Sequence, residues 1–567
     1  MITFRHMLSL ASGTFQRTRY RAPILRAVSV CALVAFSSPR ATAQSALTHT
    51  DDAAPVPRGM LRTRITTGWT RFDERFAATG RRSLDGDFSS DSLGARELLG
   101  LAPIDVGLQT LTADPKVRLS LGRLAARSDV RIVTTPIAFE YGLTRRLSVG
   151  VVVPLVQTRR TVVLDVNADK KANAGFIPLR SRSEAAAANA LAYNRLVSAA
   201  DSLSTLLAKC PSTPTAAGCT AVNANAADAR AARQEAARFA DAIKQALGID
   251  TATVRIAPRK GSDVASKVEA QRAAIDARLR TYLGSGAGTS APVFFAASDF
   301  SYIDLQGRDG VPGLLQSALG GGLDSLRTTD RLSFGDISVG AQLLLIDRFQ
   351  FDTLPPRGLQ MRLAVGGAFR FGTSLVDSTR SLVAIPTGDG AGVEVRSALD
   401  MVAGNYLGGT VAARVVKSFA RNVVAPLFGD PEAIFPVPTF GKVSRTAGTL
   451  FTLDVTPRLR FGDWFSIDGR YGVERTGATM FERPSVTCAT CQITLDGASS
   501  TSTAARTAHR VGAGIRYSTV DSYLRGSTRL PIEVSFTHLE TISGDAGVAK
   551  LTRDQIQLRL FLRLLGR

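Results

Sequence analysis

The stretch Tyr141–Val156, "YGLTRRLSVGVVVPLV", decides the fold. From Leu147 the apolar residues fall on every second position: Leu147, Val149, Val151, Val153 and Leu155, with Ser148 and Gly150 between them. A period of two is the signature of a β-strand. "GLTRR" reads as a short turn from a preceding strand. Pro154 interrupts the run, and a proline has no N–H for a ladder, so it belongs at an edge, a bulge or a strand end. Leu147 to Leu155 is about one bilayer crossing. The reading places Pro154 near the outer rim of a membrane-crossing strand, where the wall ends and a long excursion begins.

The same alternation recurs far from this stretch. "GLQMRLAVGGAFRFG" sets Leu359, Met361, Leu363, Val365, Phe369 and Phe371 against Gln360, Arg362 and Arg370. "FTLDVTPRLRF" sets Phe451, Leu453, Val455, Leu459 and Phe461 against Asp454, Arg458 and Arg460. "DQIQLRLFLRLL" sets Ile556, Leu558, Leu560, Leu562 and Leu564 against Gln557, Arg559 and Arg563. Each strand has one apolar and one charged face. The runs exceed the usual 5–6 residues of soluble strands, and about ten alternating residues between turns is the pattern of a transmembrane β-barrel. Short and long links alternate, as they do between the two ends of such a barrel. The expected fold is an all-β transmembrane antiparallel barrel of about twelve strands, range 10–14, with an α-helical extracellular insertion. A soluble sandwich is the rival fold, and it leaves the long strands unexplained.

The N-terminus reads as a secretory signal. Arg17, Arg19, Arg21 and Arg26 precede the apolar "AVSVCALVAF", then Pro39 and the small residues Ala41 to Ala43. Residues 1–43 are assigned to it, 44–166 and 332–567 to the barrel, and 167–331 to the insertion. Removing the six arginines of the signal lowers the formal net charge from +21 to +15. Export, and the lack of basic clusters interleaved with aromatics, argue against a nucleic-acid partner. Outer-membrane lipid and a small-molecule solute are the expected partners. Within the insertion, residues 183–208, 224–247 and 264–283 are alanine-rich with apolar spacing of three and four, which predicts helices. "SSDSLGARELLGLAPI" (Ser89 to Ile104) reads as a further short helix in the first long loop, a kind of segment that can fold back into a barrel lumen. Cysteines remaining after export fall in two close pairs, Cys210 with Cys219 and Cys488 with Cys491. Even, locally paired cysteines in an exported chain point to disulfides.

Chemistry has little to work with. Only His49, His509 and His538 survive signal removal, and the last two fall on apolar strand faces, so a catalytic base is not expected. "DVNAD" (Asp165 to Asp169) lacks the glycine and distal glutamate of a calcium loop. No enzyme activity, cofactor or metal is expected. The inward faces are more informative. The alternation points Arg362, Arg370, Arg396, Arg414, Arg458 and Arg460 into the lumen, with Arg470, Arg506, Arg510, Arg516, Arg559 and Arg563. It gives them Glu394, Asp400, Asp454, Asp468, Glu474 and Glu533 as acidic neighbours. Twelve arginines against six acids describe a paired charge network, a lumen that favours anions, or both.

The hairpin with Tyr141, Gly142, Leu143, Thr144, Leu147, Gly150, Val151 and Pro154 resembles one in the outer-membrane transporter-like barrels associated with meta-pathway phenol degradation. Gly335, Asp336 and Gly340 match the "GD-x-x-x-G" strand opening of those barrels, and "RFGDWFSIDGRYG" resembles their later hairpin. The helical insertion and the C-terminus depart from that family. The resemblance implies an outer-membrane channel for small aromatic or other hydrophobic compounds, a class that an arginine-rich lumen suits poorly. The residues together point to a non-enzymatic channel for small solutes, hydrophobic on the resemblance and anionic on the charge. The alternative is a structural or adhesive outer-membrane protein that displays its helical subdomain.

Overall fold

The computed structural model describes residues 52–563, apart from 285–290, 309–310, 318, 321, 350–357, 375–386, 427–439, 483–485, 489–492, 496–500, 503 and 525. The expected signal segment and Cys491 lie outside the described residues.

Twelve long strands form the wall. They are β1 (Met60–Phe72), β2 (Leu124–Gly142), β3 (Leu147–Val166), β4 (Thr329–Phe334 and Ser338–Asp347), β5 (Leu359–Arg370), β6 (Gly392–Ala403), β7 (Leu407–Ser418), β8 (Leu450–Phe461), β9 (Phe465–Thr476), β10 (Arg506–Ser518), β11 (Ile532–Gly544) and β12 (Thr552–Arg563). Each pairs antiparallel with its neighbours in sequence, and β12 pairs with β1, so the sheet closes. Closure removes every sheet edge, which a wall in lipid requires.

The faces are inverted relative to a soluble protein. In β1, Arg62 and Arg64 are 4% and 5% exposed while Ile65 and Trp69 are 38% and 40% exposed. An apolar exterior around a polar interior is stable only where lipid covers the outside. Exposed aromatic residues gather at both ends of the wall. Phe461, Trp464, Phe465 and Tyr517 cluster around the short turn between β8 and β9. Phe369, Phe371 and Phe419 cluster at the opposite end. Such girdles mark the two lipid–water interfaces.

The proline of the opening stretch does not mark the end of the wall: β3 continues to pair with β4 beyond it, from Leu155 to Arg160. β3 continues to Val166, roughly 60 Å at about 3.3 Å per residue. Pro154 stands opposite Pro136 of β2, and the ladder between these two strands runs through the pair without a break. The missing donors therefore face outward, toward β1 and β4, and both of those ladders are interrupted there. The β1–β2 register skips from Ile65↔Ile137 to Gly68↔Thr134. Between Val152↔Ser338 and Leu155↔Phe334, two residues of β3 face three of β4, which is a bulge. Gly335 in that bulge donates its N–H to the Pro154 carbonyl at 2.8 Å.

Beyond the prolines, β2 and β3 run on as a ribbon into the helical subdomain. Leu124, Ala126 and Val162 belong to the same buried core as the helices α1 (Ala102–Thr112), α2 (Arg182–Lys209), α3 (Cys219–Ala224), α4 (Ala226–Ala242) and α5 (Asp263–Leu283). Within the helix expected over Ser89 to Ile104, a 3-10 turn forms at Leu99–Leu101 and leads into α1, which starts at Ala102 with Pro103 in its first turn, where no N–H is needed. It does not fold into the lumen; Ile104, Leu108 and Leu111 pack into the subdomain core. Alanines let the helices approach closely, and Leu196 and Phe239 fill the centre, each worth roughly 1.5–3 kcal/mol of burial. Asn225 caps α4 and Ser262 caps α5. Cys210 and Cys219 form a disulfide at the α2–α3 turn.

Candidate functional site

The interior of the barrel is a network of ion pairs, built one strand at a time. Opposite charges meet across neighbouring strands because the inward residues of adjacent strands lie side by side. Arg458 of β8 pairs with Asp468 of β9 at 2.8 Å, and Asp468 lies 3.7 Å from Arg516 of β10. Arg516 reaches Glu533 of β11 at 3.5 Å, and Glu533 reaches Arg559 of β12 at 3.2 Å. Arg559 holds Asp52, Asp52 lies 3.8 Å from Arg62 of β1, and Arg62 pairs with Glu140 of β2. Glu140 also meets Arg64 at 3.3 Å. This belt follows half of the wall, and every member sits near the end that carries the short turns.

The belt includes a segment that belongs to no strand. Asp52 to Pro57 precede β1 and enter the lumen. Asp52 is anchored to β12 and β1 on one side. The Ala53 N–H donates to Asp400 of β6 at 2.8 Å, and Ala53 is buried with Leu344, Ala364, Ala398 and Ala412 of β4 to β7. Those strands lie across the barrel from β12 and β1 in the closed order. The segment therefore spans the lumen near its short-turn end.

The remaining residues expected inside lie on β5 to β10. Arg362 lies 3.3 Å from Asp347 and stacks on Phe349. Arg370 bonds the Ser418 hydroxyl at 2.5 Å. Arg414 pairs with Glu394 at 3.1 Å and Arg510 with Glu474 at 2.8 Å. Asp400 also accepts from the Thr410 hydroxyl at 2.8 Å. Asp454 and Arg470 stand opposite Gly472 and Gly512 in their ladders. Arg460 reaches Asp521 in the β10–β11 turn at 3.4 Å, at the strand end rather than deep inside. Cys488 lies in a short strand of an outer loop.

Sequence reading did not place Arg62, Arg64, Glu140 or Asp52 in the interior, and took Asp336 only as part of a strand-opening motif. The first three were available from alternation in "MLRTRITTGWTRF" and "IAFEYG". Asp52 has no periodic context, so nothing in the sequence announces it. Asp336 sits in the β4 bulge, fully buried, and accepts from the Ser374 and Gly390 N–H groups at 2.9 Å each. The bulge turns it inward.

His538 pairs with Asp554 at 2.7 Å and the His509 ring meets the Tyr471 hydroxyl at 2.8 Å. The His538 pair is exposed on the outside of the wall, away from the charged interior. Among the described residues no group of three or more metal-ligating side chains occurs.

The fold and its interior define a class: a transmembrane β-barrel whose polar lumen is crossed by its own N-terminal segment. No family model and no curated protein matches the chain. Among solved structures it is similar to an outer-membrane channel from Pseudomonas putida F1, at 8% identity over 91% of this chain and all of the other, TM-score 0.38. It is also similar to a Pseudomonas aeruginosa FadL homologue, at 9% identity over 94% of this chain and all of the other, TM-score 0.25. A third is the Pseudomonas putida toluene transporter TodX, at 9% identity over 93% and 94% of the two chains, TM-score 0.21. These overlaps are loose.

Proposed function

We propose that the chain is a non-enzymatic outer-membrane channel for small solutes, narrowed at rest by its N-terminal segment. The observation that carries this is the interior itself. A barrel serving only as an anchor is adequately filled by packed side chains. Here the interior holds charged pairs, a cavity and a strand-free segment, Asp52 to Pro57. A polar interior walled by lipid-facing strands provides a route for solutes that cannot cross the bilayer. The Tyr141 hairpin and the Gly335–Asp336 strand opening, shared with the phenol-degradation barrels, fit this reading. The solute is small because the segment and the arginines leave little free cross-section.

The helical subdomain favours a second reading, display of a surface module, because its core is larger than any connecting loop needs. Efflux of small solutes from proteoliposomes separates the two. The channel reading expects efflux that grows when Asp52 is replaced, and a display protein leaves vesicles as tight as lipid alone.

A further inference from the structure

We propose that Arg396 and Arg370 form a carboxylate-binding station inside the barrel, so that the solutes it takes are small organic acids. The proposal rests on the channel reading and adds a substrate class to it.

A cavity of about 60 Å³ lies against the inner faces of β1 to β7. Four arginines line it, Arg64, Arg370, Arg396 and Arg414, with three acids, Glu140, Asp336 and Glu394. Two of the acids are paired with other arginines, and the third is shared between backbone N–H groups and Arg370. Glu140 is shared by Arg62 and Arg64. Glu394 serves Arg414. Asp336 accepts two backbone N–H groups and lies 3.9 Å from Arg370. Arg396 is left over: it makes no ion pair among the described residues. The Nε donors of Arg370 and Arg396 are both buried without a hydrogen-bond partner.

The ladder makes this worse rather than better. Arg396 stands directly opposite Arg414 across β6 and β7, and like charges so placed repel. The side chain is also held in place. Arg396 lies over Gly366 of β5, where an added Cβ would come within 2.8 Å of the Arg396 Nε. A confined guanidinium with an unsatisfied donor is costly unless an anion visits it. The planar fork of Arg396 matches the two oxygens of a carboxylate, and Arg370, one of whose terminal nitrogens already donates to Ser418, can add its Nε–H from the same cavity wall. The volume holds a few waters, enough for a carboxylate but not for a ring, so the rest of the solute would lie along the lumen.

Calorimetric titration of the detergent-folded protein with sodium acetate, sodium benzoate and the neutral benzyl alcohol tests the proposal. Acetate and benzoate should bind and compete, benzyl alcohol should not, and Arg396→Gln should weaken benzoate by about tenfold or more. Gly366→Val, which displaces Arg396 without removing it, should do the same. If Arg396→Gln fails to fold, Arg396→Lys keeps the charge and loses the fork, and should also weaken binding. Equal binding of benzyl alcohol and benzoate, no binding of either acid, or unchanged affinity in the folded Arg396 variant overturns the proposal. Benzoate binding without any solute efflux would remove the channel reading and leave the station standing. Efflux without benzoate binding would do the reverse.

Discussion

Arg559 and Asp52 form a buried ion pair across 507 residues of sequence, tying the last barrel strand to the segment that precedes the first. Arg559 also lies 3.2 Å from Glu533, so it neutralises two acids. Arg559→Ala leaves both carboxylates buried without this cation, a change that typically costs about 3–5 kcal/mol. The expected result is a lower midpoint of urea unfolding in lipid vesicles and easier proteolysis near Asp52. An unchanged midpoint would show that the pair is not a structural tie.

Gly150 and Gly340 face each other across β3 and β4. A Cβ on Gly340 would lie 2.6 Å from the Gly367 carbonyl oxygen, and one on Gly150 would lie 2.8 Å from the Glu140 side chain. Gly340→Val should therefore destabilise the wall by about 1–3 kcal/mol through overpacking. The check is the temperature at which the folded barrel loses its faster gel mobility. Gly358, whose added Cβ would meet nothing within 4 Å, has a φ of +75° and so is no neutral control. Gly367, where the nearest atom would be 3.6 Å away, is the better one and should tolerate alanine.

Asp228 in the helical subdomain is held below the ordinary carboxylate range by the Tyr282 hydroxyl at 2.6 Å, and then by Arg278. A depressed carboxylate contributes stability that is present above its unfolded pKa of about 4 and lost as pH falls through the folded value. Asp114, held down by the Lys116 N–H and by Lys267, acts in the same direction. Helix melting followed at 222 nm should thus be depressed in Asp228→Asn at pH 6 and nearly equal to wild type at pH 3. A gap of the same size at both pH values would contradict the assignment.

Much of the wall was legible because lipid imposes a strict rule. Inward residues are mostly polar and outward ones apolar, so period two is plain in most strands, from Arg62 and Ile65 in β1 to Arg559 and Leu562 in β12, while the apolar run Leu343 to Ile346 in β4 hides it. The strand count, the helices around Phe239 and the Cys210–Cys219 pair followed from local pattern. What sequence could not give was pairing between distant segments. Pro154 looked like an ending because its partner, Pro136, and the compensating bulge at Gly335 lie elsewhere in the chain. Asp52 was invisible for the same reason: its role depends on Arg559 and Arg62 converging on it in space. Arg396 was named with the other inward arginines, but only register shows that its opposite number is Arg414 rather than an acid.

Single-channel conductance in planar bilayers tests the central claim most directly, comparing the wild-type protein with Asp52→Lys. The substitution sets a third positive charge against Arg62 and Arg559 and should drive the N-terminal segment out of the lumen. The account predicts small wild-type conductance steps and steps several-fold larger in the variant. Silence from both proteins, with the barrel shown to be folded by its gel mobility, would contradict it.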